Sequence, residues 1–82
     1  MKTDAEIRNG IMNALIKCRQ EKGITQAELA KIINKTPTAV ASWEQGISLP
    51  SVQMLYRLAT YYGKSLDYMF GDPDPEERNE EK

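Results

Sequence analysis

Side chains that do covalent or metal chemistry are nearly missing from this chain of 82 residues, which has no histidine and one cysteine, Cys18. Without histidine there is no Ser/His or Cys/His nucleophile and no cluster with metal-ligand spacing. A lone cysteine cannot close an intrachain disulfide. Neither an enzyme nor a metal or other cofactor is therefore expected. What the sequence does offer is non-covalent recognition. In the stretch NKTPTAVASWEQG, residues 34–46, Thr36 is a good N-cap and Pro37 suits a first helical position. The missing proline N–H would have had no partner there, and its φ is preset, so Pro37 starts a helix. At about 100° per residue, positions 37, 38, 41, 42 and 45 share an arc of about 140°. They are Pro37, Thr38, Ala41, Ser42 and Gln45. A face this small and uncharged is unusual for open solvent, where Lys and Glu are expected, and suits close approach to another surface.

The elements that must position this face are helices. Thr3 to Glu6 fits the capping-box pattern S/T-x-x-E, and Ile7, Ile11, Leu15 and Cys18 follow as one apolar stripe up to Gly23. Cys18 lies on that stripe as a small buried hydrophobe. Thr25 to Glu28 repeats the capping box two residues after Gly23, so a second helix starts at once and crosses the first at an angle. Leu29, Ala30 and Ile33 form its inner side, and Asn34 tolerates the left-handed conformation of a sharp turn. In the third helix Val40, Trp43 and, more peripherally, Ala39 point inward, and Gly46 ends it. Pro50 and Ser51 open a fourth helix with Val52, Leu55, Leu58, Ala59 and Tyr62 at core spacing. Gly63 stops it, Ser65 caps a short fifth helix, and Leu66, Met69 and Phe70 return apolar groups to the core. No stretch alternates as a strand would. The expected fold is all-α, a compact bundle of five helices.

A chain this short has room for one core and not for the cleft of a typical enzyme. Its formal charge of −1 hides an asymmetry, because residues 1–71 hold nine Lys/Arg against six Asp/Glu, while residues 72–82 hold six acids against Arg78 and Lys82. The expected organisation is a mildly basic domain, 1–71, followed by an acidic tail, 72–82, too polar to fold alone. The tail reads as a solubilising end, or more sharply as acids that compete with phosphate for a basic face. No signal-peptide core and no apolar run of roughly 18 residues is present, which points to a soluble, reducing, cytoplasmic setting.

Two short helices joined by a tight turn, TQAELAKIINKTPTAVASWEQG at 25–46, make a helix-turn-helix, whose second helix can enter a DNA major groove. Together with RQEKG, LPS and YYGKSLDYMFG, in register over roughly residues 5–70, these blocks resemble the Xre and phage-repressor (Cro-type) family. The resemblance implies that Gln26 bridges a phosphate and the recognition helix. It places Lys35 and Thr36 in the turn near the DNA backbone, with Gln45 at a second backbone clamp. Pro37, Thr38, Ala41 and Ser42 fall on the base-facing positions. Arg19 and Glu44 match a structural pair that ties helix 1 to the end of the recognition helix.

This chain departs from the family pattern at several places. Asn34 replaces the usual turn glycine, Lys35 the apolar residue after it, and Lys64 an expected valine. The base-facing set also lacks the Arg, Asn or Gln side chains that make bidentate contacts, so modest direct readout is expected. The reading that follows is a sequence-specific binder of double-stranded DNA, a transcriptional repressor of bacterial or phage type. It would sit as a homodimer on a palindromic operator with half-sites about 34 Å apart. Leu49, Tyr61 and Tyr68 are candidates for the dimer surface, each tyrosine set against ordinary peripheral packing. No small-molecule ligand domain is apparent, so regulation is expected through another protein, through concentration or through the tail. The alternative is a protein-interaction module on the same fold, an antitoxin or adaptor, motivated by the thin positive charge and the weak base-reading set.

Overall fold

The structure, a computed structural model, describes residues 1–73. Most of the expected acidic tail, residues 74–82, lies outside them. Five helices follow in order: α1 Asp4–Lys22, α2 Gln26–Ile32, α3 Pro37–Gln45, α4 Val52–Tyr62 and α5 Leu66–Met69. There is no strand among the described residues. The starts are local chemistry. The Thr3 hydroxyl accepts from the Glu6 N–H at 3.1 Å while the Thr3 N–H donates to the Glu6 carboxylate at 2.8 Å. Thr25 and Glu28 do the same at 3.0 and 2.8 Å, and Thr36 accepts from the Ala39 N–H at 3.1 Å. Asn34 takes the turn between α2 and α3 with a φ of 59°, and Lys35 N–H reaches back to the Ala30 carbonyl at 2.8 Å.

The buried stripes close on one another. Ile11, Leu15 and Cys18 of α1, Leu29 and Ala30 of α2, Val40 and Trp43 of α3, and Leu55 and Leu58 of α4 belong to one core that Met69 of α5 completes. The α3 helix packs against α2 and α1, and α5 against α4 and α1. Gly10 makes the last of these contacts close, since a Cβ there would run into the backbone carbonyl of Phe70. Two inward assignments do not hold. Val52 is 73% exposed, because the buried arc of α4 is centred on Met54, Leu55, Leu58 and Ala59. At about 100° per residue Val52 lies about 90° from that centre. Leu66, first residue of α5, is 39% exposed, and Met69 one turn on is the residue that reaches the core.

Candidate interaction surface

The outward side of α3 is built from its N-terminus. Thr36 and Pro37 fix the first turn, and the inward pull of Val40 and Trp43 leaves Pro37, Thr38 and Gln45 exposed, with Ala41 and Ser42 half-buried. Lys35 and Thr36 are exposed beside them. The Thr36 oxygen already accepts the Ala39 N–H as a cap, which leaves its proton for a ligand. Ser42 is also engaged, its hydroxyl lying 2.7 Å from that of Ser48 in the loop after α3. Of the two hydroxyls expected to meet bases, Thr38 alone is without such a partner among the described residues.

Behind this face Glu44 is buried, at 7% exposure. The Arg19 Nε donates to Glu44 Oε2 at 2.7 Å and Nη2 to Oε1 at 3.0 Å, while Nη1 donates to the Ile24 carbonyl at 2.9 Å. Gln26 Nε2 adds a third bond to the carboxylate, to Oε1 at 2.9 Å. One carboxylate thus joins α1, the start of α2 and the end of α3. Its hydrogen bond raises the Arg19 pKa, outweighing the opposing effect of burial. For Gln26 the consequence is that one of its two amide N–H groups is committed inward.

In the segment that follows, sequence reasoning offered Leu49 for a dimer surface and turned Val52 inward, but passed over Ile47 and Tyr56. Ile47 is 74% exposed, Leu49 44%, Val52 73% and Tyr56 63%. Val52 and Tyr56 are four apart and so share one side of α4. Spacing held the signal: once Met54, Leu55 and Leu58 define the buried arc, positions 52 and 56 fall outside it. Of the candidate dimer residues, only Leu49 belongs to this exposed group. Tyr61 and Tyr68 are half-buried, each with a lysine ammonium over its ring.

The sequence profile of the helix-turn-helix family matches residues 15–69. Multiprotein-bridging factor 1a of Arabidopsis thaliana is 31% identical over 64 residues, 78% of this chain and 45% of that protein. Putative multi-protein-binding factor 1 of Yarrowia lipolytica is 38% identical over 61 residues, 74% of this chain and 40% of that protein. Endothelial differentiation-related factor 1 of Homo sapiens is 40% identical over 48 residues, 58% of this chain and 32% of that protein. The chain spans less than half the length of each of these relatives. No solved structure gives a significant match. The similarity thus runs to proteins named for bridging or binding several proteins, not for repression. It overturns the expected sequence-specific repressor on a palindromic operator and favours the protein-interaction alternative. The geometry agrees in kind: none of Pro37, Thr38, Ala41 and Ser42 is a bidentate reader, and Ser42 is already bonded within the chain.

Proposed function

This chain belongs to the helix-turn-helix family, and from that premise we propose that it is an adaptor module that holds partner proteins together. The observation that carries the proposal is the likeness to a multiprotein-bridging factor across 78% of the chain. The TQAELA, WEQG, LPS and YYGKSLDYMFG blocks support a finer place for it beside the Xre and phage-repressor proteins.

The segment that serves this role best runs from the loop after α3 into α4. Single exposed apolar residues are ordinary, but Ile47, Leu49, Val52 and Tyr56 fall within ten residues of sequence. Covering a valine or leucine side chain completely contributes about 1.5 to 3 kcal/mol, and a tyrosine adds a flat ring with a polar tip, a combination common at the centres of protein interfaces. Gln45, exposed at the end of α3, precedes that segment in the chain. Exposed apolar side chains of this kind fit a protein partner better than a phosphate backbone.

Affinity capture on the tagged chain, read by mass spectrometry, tests this. Val52→Glu puts a charge on an exposed position, so the unfolding free energy should stay within about 0.5 kcal/mol of the parent chain. Captured proteins should nonetheless be lost. Capture unchanged by Val52→Glu, or abolished by nuclease treatment of the extract, would contradict the proposal.

A further inference from the structure

The end of α1 and the turn from α4 to α5 border a groove of about 200 Å³ with Cys18, Glu21, Lys22, Tyr62 and Lys64 in its walls. It uses no residue of α2 or α3 and neither Val52 nor Tyr56. Both of its lysines are held in place. Lys22 Nζ lies 4.8 Å from the centroid of the Tyr61 ring, and Lys64 Nζ lies 4.6 Å from that of Tyr68. A ring face steadies an ammonium group without neutralising it. Lys64 is fixed at its backbone too, since Gly63 takes a φ of 71° and the Lys64 N–H closes on the Ala59 carbonyl at 2.9 Å.

These two charges are unanswered within the described domain. Its ion pairs are Lys2 with Asp72 and Arg19 with Glu44, so Glu21, though it shares the groove, pairs with neither lysine. Two cations against one carboxylate leave the walls net positive, and a recess focuses such a field more than a flat surface does. Tyr62 adds a hydroxyl that is buried and has no hydrogen-bond partner among the described residues. A phenol O–H in that state gains by donating to an acceptor that reaches it. Ammonium groups already steadied on rings also lose less freedom when a ligand binds, which lowers the cost of holding one.

We propose that this groove binds a small oxyanion, a phosphate or a carboxylate group, through the ammonium groups of Lys22 and Lys64. The site stands apart from the apolar segment after α3 and does not depend on the adaptor reading.

Titration of the isotope-labelled full chain with inorganic phosphate and, separately, with acetate tests it by the shifts of backbone amides. Ionic strength is held constant with sodium chloride, so that general screening does not change. Amides of 18–22 and 62–65 should shift together and saturate at millimolar concentrations of at least one of the two ions. Saturation by phosphate alone assigns a phosphate group, and by acetate alone a carboxylate. Lys64→Met keeps an apolar stem and removes the charge, as does Lys22→Met. Each should weaken binding about fivefold or more, the worth of one solvent-screened charge contact, in a chain whose amide spectrum is still folded. Shifts that rise without saturating, that centre on α2 and α3, or that keep the same affinity in both variants would overturn the proposal. So would the absence of any shift with either ion.

Discussion

Arg19 and Gln26 bring three donors to the Glu44 side chain, which lies at 7% exposure. Removing the carboxylate strands a guanidinium whose side chain is only 16% exposed, and breaking such a pair costs more than the intact pair contributes. Glu44→Ala should therefore lower the unfolding free energy by about 3 kcal/mol in a urea titration. Arg19→Met combined with Glu44→Leu should cost less than Glu44→Ala alone, and equal or larger loss would show that the ion pair itself stabilises. Tyr62 is the opposite case, a hydroxyl buried with no hydrogen-bond partner among the described residues. Burial first, then neighbouring groups led by Cys18, pushes its pKa above the ordinary 10.0. In the unfolded chain the phenol ionises near that ordinary value, whereas in the folded chain it stays protonated. Unfolding then releases a proton, so stability is full below about pH 10 and falls as the pH rises above it. Tyr62→Phe should remove this part of the alkaline loss and leave stability at neutral pH unchanged or up to about 1 kcal/mol higher. Urea midpoints at neutral and alkaline pH decide the matter, and an identical alkaline fall in both chains would place its origin elsewhere.

Among the elements, α1 and α5 meet through a contact that depends on having no side chain. A Cβ on Gly10 would collide with the Phe70 carbonyl, which is backbone and cannot swing aside. Gly10→Ala should destabilise by about 1 to 3 kcal/mol, where an exposed helical glycine would have gained from the same change. Thermal or urea unfolding reads this, and a stabilised variant would mean that α5 shifts without cost. No local pattern announces the contact, since its two sides stand about sixty residues apart in sequence. Helix ends are different. Thr3 with Glu6, Thr25 with Glu28, Thr36 before Pro37 and the glycines at 23, 46 and 63 all act within one turn, so they were readable from the sequence. Val52 was not, because its spacing to Leu55 fits a stripe whose true centre shows only when Met54 is also buried. Ser42 was visible as a small polar group on the outer side, but its bond to Ser48 depends on how the loop after Gly46 folds back. Spacing told which residues of α3 face outward. It did not tell what covers them, and the repressor expectation came from supplying DNA as that cover.

For the molecule as a whole, the described domain is mildly basic and the acids at the end of the chain offset it, leaving a formal charge of −1. That gives little long-range attraction to phosphate, which supplies most of the affinity in nonspecific DNA binding. The molecule instead exposes Ile47 and Leu49 in the loop after α3 and Val52 and Tyr56 on α4. On the function proposed above, the helix-turn-helix serves protein contacts and does not read an operator. Its most direct test is selection of bound duplexes from a random pool by the folded full chain, at about 0.1 M salt so that phosphate binding alone is suppressed. No sequence should be enriched over the starting pool. Recovery of an inverted repeat with half-sites about one helical turn apart would contradict it and restore base reading to α3.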